Sequence, residues 1–135
     1  MANKRKLKLE DYGISGSRYK ELCGFCEQYP EWVDELTYMA NIVHSKVITD
    51  MPVHHGQSNP QEELAIRRAE LSIKTELIEQ TAIEADGDLY QYIIKSVCYR
   101  KPIWYLTDIM HMPCSDAKFR DMRRYFFYLL SKNKK

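Results

Sequence analysis

Cys23-Gly24-Phe25-Cys26 is a C-x-x-C pair, the first place in this sequence where chemistry is to be sought. A structural zinc site takes four ligands, so a second Cys or His pair has to follow. None does. The imidazoles are His44, His54, His55 and His111. His54-His55 with His44 would make a metal set, but a polar loop is the plainer reading. A redox C-x-x-C works at a strand–helix junction, and the residues around Cys23 have helical spacing instead. Two buried cysteines on a helix are therefore expected. Glu76, Glu79 and Glu84 lack the Glu-x-x-His spacing of a di-metal bundle. There is no glycine-rich phosphate loop, no Gly-x-Ser-x-Gly and no His-Glu-x-x-His. The expectation is a protein that is not an enzyme and that has no metal and no cofactor.

The other candidate chemistry is basic. Lys118, Arg120, Arg123 and Arg124 fall within seven residues of the segment that follows Ser115. At about 100° per residue, with Phe119 as zero, Phe126, Leu130, Met122 and Leu129 form one apolar stripe. Arg123, Arg120 and Arg124 then lie at roughly 40°, 100° and 140°, on one flank. Lys118 lies on the other. A guanidinium fork reads guanine bidentately or clamps a phosphate, so this flank suits the major groove. A solvated helix face is the plainer alternative. Arg123 borders the stripe and is placed to snorkel over the core. Ser115 is a candidate phosphate contact whose first task is capping the helix. Tyr125 and Tyr128 are candidates to stack on bases or donate to phosphates, with partial burial the plainer reading.

These residues need elements to hold them, and nearly every segment reads as helix. There is no sustained period-2 alternation and no Asn-Gly hairpin turn. One helix is expected over 17–28, with Tyr19, Leu22, Cys26 and Tyr29 on one face. Pro30 ends it and opens a second helix with Val33, Leu36, Ala40 and Val43 on a stripe and Trp32 and Met39 beside it. Residues 48–60 read as a loop. Asn59-Pro60, followed by Glu62 and Glu63, starts a long helix that should run to about Ala85. This helix has two apolar sides: Leu64, Leu71, Ile78 and Ala85 on one, and Ile66, Ile73 and Leu77 nearly opposite. Two sides need two coverings, from the chain's own helices or from a second subunit. Asp86-Gly87-Asp88 breaks it. Short helices over 89–100 and 103–110 follow, separated by Lys101-Pro102. Pro113-Cys114-Ser115-Asp116 then turns into a last helix ending near Leu130. Helix, short helix, tight turn and basic helix is the outline of a helix-turn-helix module.

The 135 residues suffice for one domain with a modest core. Hydrophobic residues at 44% and charged ones at 29% exclude wholesale disorder. No apolar run reaches the roughly 20 residues of a membrane span, and the basic start lacks the apolar stretch of a secretory signal. A cytoplasmic protein with reduced thiols is expected. The net charge of +1 conceals an asymmetry. Residues 1–8 carry four Lys/Arg and no acid, residues 9–85 six against fourteen acids, and residues 86–135 ten against five. Contact with a polyanion is expected through the C-terminal third, with help from the N-terminal arm.

The stretch Pro113-Cys114…Phe119…Arg123-Arg124…Phe126-Phe127-Tyr128-Leu129-Leu130 resembles the end of the RinA-like family of phage late-gene transcriptional regulators, related to the ArpU-like regulators. Tyr19-Lys20-Glu21-Leu22…Phe25-Cys26…Gln28-Tyr29-Pro30-Glu31-Trp32 looks like that family's N-terminal segment. Residues 76–86 look like its central helix, and Leu89-Tyr90…Tyr92-Ile93…Val97 like the start of its DNA-binding part. One departure is Ser115, where relatives often carry glycine. The resemblance covers most of residues 17–133. It implies activation of a phage or prophage late operon for packaging and morphogenesis genes. It also implies a C-terminal module similar to the promoter −35-reading region of sigma factors, with Lys118, Arg120, Arg123 and Arg124 on the recognition helix.

The sequence thus predicts an all-α protein. Residues 1–16 form a basic flexible arm. Residues 17–85 form a helical scaffold, an N-terminal pair and a long central helix, for oligomerisation or polymerase contact. Residues 86–135 form the helix-turn-helix module. The expected partners are promoter double-stranded DNA, host RNA polymerase and a second copy as homodimer, with no membrane. The alternatives are a DNA-packaging adaptor of small-terminase type and a protein-only interaction module.

Overall fold

The computed structural model describes residues 12–45 and 60–134, and in that range the chain is all-helical. The expected basic arm up to residue 11, the 48–59 loop and the Asn59 cap lie outside the described residues. Helix α1 is Gly16–Glu27, capped by the Ser15 hydroxyl, which accepts from the Arg18 N–H at 3.1 Å. Helix α2 is Tyr29–Ser45, and α3 is Pro60–Ala85, the length the sequence predicts. The Asp86 carboxylate stops α3 by accepting from the Asp88 and Leu89 N–H groups at 2.9 and 3.0 Å. Helix α4 is Tyr90–Val97 and α5 is Asp116–Asn133.

The long α3 is the spine against which α2, α4 and α5 pack, and α1 lies against α5, α2 and α4. The core is built from Leu22, Cys26, Leu71, Ile78, Ile93, Leu106, Phe119 and Phe126, all essentially inaccessible to solvent. Every residue of the predicted α5 stripe is buried, and so is Phe127. On α2 the buried residues are Tyr29, Trp32 and Met39, while Val33, Leu36 and Ala40 are only half-covered and the Val43 side chain lies outside the described residues. The stripe is therefore displaced toward the larger side chains, which fill the space beside α3. On α3 the Leu71–Ile78 side is covered. Of the side read as opposite, Ile66 and Ile73 stay 56% and 69% exposed, whereas Leu77 is half-buried and packs against the core.

The second short helix expected over 103–110 is instead a π-helical turn, Tyr105–Ile109. Its wide bond runs from the Met110 N–H to the Tyr105 carbonyl at 3.1 Å. The chain leaves α4 and leaves this turn by the same device. Arg100 and His111 adopt left-handed backbone, with φ of 58° and 57°. Beyond each, an N–H reaches back six residues: Lys101 to the Lys95 carbonyl at 3.0 Å, and Met112 to the Leu106 carbonyl at 2.9 Å. Neither residue is glycine, so each reversal stores roughly 1 kcal/mol of strain or more. Buried Leu106 and Met112 hold the second reversal in place.

Candidate nucleic-acid interface

Helix α5 begins at Ser115, whose hydroxyl accepts from the Lys118 N–H at 3.1 Å. The capping role expected of Ser115 is thus its observed one, and the side chain is exposed. From there α5 buries Phe119, Met122, Phe126, Phe127, Leu129 and Leu130 against α3, α1 and α4. Burial of Phe127 widens the apolar arc to roughly 160° at 100° per residue, and Arg123 falls inside it.

Geometry sorts the four predicted cations into three kinds. Arg120 and Lys118 are exposed, on opposite flanks of the outward face. Arg124, half-buried, donates to the Asp121 carboxylate at 2.9 Å, one turn back on its own helix. Arg123 turns inward. Its Nη1 donates to the buried Ser96 hydroxyl of α4 at 3.1 Å, and its guanidinium lies 5.9 Å from the Phe119 ring centre. Between the two flanks of the first half of α5 sits Ala117, exposed and small enough for close approach to a flat surface. Tyr125 is exposed, whereas Tyr128 is half-buried, its ring tilted against that of Tyr12 with centres 4.9 Å apart.

Arg123 faces a cleft of about 230 Å³ between α1 and the end of α4, lined also by Tyr19, Cys23, Glu27, Arg100 and Lys101. Arg100, 73% exposed, reaches Glu27 at 3.4 Å. The Lys101 ammonium sits 4.7 Å from the centre of the Tyr105 ring. Burial pushes the Tyr19 phenol up, and so does its hydrogen bond with Cys23; burial likewise raises the Cys23 thiol. Both are neutral at pH 7, so Glu27 is the anion facing three cations. Arg100 and Lys101 are not among the predicted site residues, Arg100 being expected at the end of a short helix and Lys101 in the turn with Pro102; two adjacent cations before Pro102 were the available signal. Ser96 carries no sequence signal as an anchor.

The C-x-x-C pair separates into half-buried Cys23 and buried Cys26, and the Cys26 thiol hydrogen-bonds with Cys98, the residue just past the end of α4. No group of metal-ligating side chains occurs among the described residues. Nor, among them, is any helix long and apolar enough to cross a membrane. Compared with known protein families, with curated proteins and with solved structures, the chain matches none.

Proposed function

We propose that the chain is a sequence-specific, duplex-DNA-binding transcriptional regulator that presents the first half of α5 to the major groove. The observation that carries this reading is the sorting along α5. One arc is fixed in the core, while Arg120, Lys118 and the small Ala117 stand on the opposite side at the helix's solvent-facing start. A rigidly seated helix with guanidinium beside a methyl is the kind of surface that reads base edges. The charge of residues 86–135, ten cations against five acids, favours the same polyanion. The resemblance to phage late-gene activators of the RinA-like kind supplies the finer reading: late promoters as targets, a sigma-like helix-turn-helix for 86–135, and host RNA polymerase as a partner. The open Ile66–Ile73 side of α3 supports the homodimer expected of the scaffold.

The test is selection of bound duplexes from a randomised pool at near-physiological salt, with Arg120→Ala/Arg124→Ala as control. An enriched motif lost in the control is the expected result. Binding without enrichment favours the packaging adaptor, and no binding favours a protein-only module.

A further inference from the structure

The cleft beside Arg123 is not part of the outward face of α5, and its charges are poorly satisfied from within. Arg123 is half-buried, yet it donates to a neutral hydroxyl, Ser96 Oγ at 3.1 Å, and no carboxylate among the described residues lies within ion-pairing distance. A partly desolvated guanidinium without a counter-ion is costly. It is also held ready. Ser96 and the Phe119 ring fix its plane, which leaves the other N–H donors of the fork free for the cleft. Lys101 is similarly posed over Tyr105 without a carboxylate partner. Arg100 alone has one, Glu27, through a single exposed contact. The cleft therefore carries two positive charges more than it balances, above a neutral floor of Tyr19 and Cys23.

We infer that this cleft seats a phosphate group of the DNA backbone, with Arg123 and Lys101 as its donors and Arg100 as a movable third. The inference rests on the reading of α5 as a duplex-binding helix. Arg120 lies three residues before Arg123 on the same helix, so a strand running past the base-reading face meets the cleft next. The two arginine sites then divide the work. Arg120 reads sequence; the cleft fixes the register of the helix on the duplex without regard to sequence.

The experiment measures salt dependence of binding to the selected duplex and to a scrambled one. Wild type is compared with Lys101→Gln and with Arg100→Asn/Lys101→Gln, in which Asn tolerates the left-handed backbone at position 100. Both changes sit at the surface end of the cleft, and a thermal melt checks the fold. The expected result is a slope of log K against log salt shallower by about 0.9, with the same fold-loss on both duplexes. An unchanged slope, in variants that still fold, overturns the cleft assignment and leaves the α5 reading standing. Wild-type protein that binds no duplex overturns both. A titration with inorganic phosphate in the absence of DNA separates the remaining source. Tight saturation that Lys101→Gln abolishes would assign the cleft to a free phosphate ligand and overturn the backbone assignment.

Discussion

Arg18 of α1 closes the far end of α5 at Ser131. Its Nε donates to the Ser131 hydroxyl at 3.2 Å, and its Nη2 donates to the Ser131 and Lys134 carbonyls at 3.0 and 2.7 Å. The last carbonyls of a helix have no partner in their own ladder and carry its negative end, so a cation there satisfies both. Tyr19 follows one residue later and meets Phe127 edge-on at 5.1 Å. The start of the described chain is thus the clamp that keeps the end of α5 wound to Asn133, beyond the Leu130 limit expected from its apolar stripe.

Replacing that clamp has a calculable effect. Arg18→Ala removes charge-assisted bonds that are partly shielded from water, at a cost of about 2 kcal/mol. Denaturant unfolding followed by helical signal should show a lower midpoint with an unchanged m-value. Arg18→Lys keeps the charge but not the fork and should recover less than half of the loss. A midpoint equal to wild type for Arg18→Ala would mean that water serves those carbonyls equally well.

Ser115 separates capping from recognition. Ser115→Ala should cost about 1 kcal/mol through the lost cap on the Lys118 N–H. Ser115→Asp restores the cap and suits the positive end of α5, so stability should return. The same carboxylate, placed at the start of a helix that meets a duplex, should weaken DNA binding. Tight binding by Ser115→Asp would place this end of α5 away from the phosphates.

The two left-handed reversals predict gains rather than losses. His111 is exposed and holds φ at 57°. Glycine adopts that conformation without a Cβ clash, so His111→Gly should stabilise the fold by up to about 1 kcal/mol, less the extra entropy of the unfolded chain. His111→Val should lose more than 1 kcal/mol, because a β-branched side chain is least tolerated there. A neutral result for both, read from thermal melts, would show that the turn relaxes into another conformation.

Punctuation was the most legible part of the chain. Pro60, the Asp86-Gly87-Asp88 break and the Ser115 cap act through groups within a few residues, so spacing reveals them. The α5 stripe was equally legible, since five apolar residues define one face whatever covers them. Arg123 was not. The wheel placed it beside the core, but its burial depends on α1 and α4 both closing over that flank, a long-range outcome. The π-helical turn gave no signal either, because its reversals use Arg100 and His111 where glycine would have been the cue. The cleft cations were overlooked for the same reason: Arg100 and Lys101 acquire meaning only once α1 brings Tyr19 and Glu27 opposite them. On α2 the period was right and the phase was wrong, since Trp32 and Met39 have the volume to reach α3.

Alkaline pH should unfold this protein earlier than its composition suggests. Tyr29 donates its hydroxyl to the Glu79 carboxylate across the α2–α3 contact. Burial, and then that carboxylate, hold the phenol well above its ordinary value of 10.0. The hydrogen bond with Cys98, with burial, holds the Cys26 thiol far above 9.0. In the unfolded chain both groups ionise at their ordinary values, so above about pH 9 the folded state retains protons that the unfolded state sheds. The contribution is therefore complete below the unfolded values and is lost as pH rises toward the raised folded ones. Urea midpoints should hold level near pH 8 and fall from about pH 9 to 11. Tyr29→Phe, which cannot ionise, should start from a lower midpoint through loss of the bond to Glu79 but decline less steeply. Cys26→Ala should likewise flatten the lower part of the curve while costing stability through its cavity. A wild-type midpoint that stays constant to pH 11 would mean that neither pair is protected from water in solution.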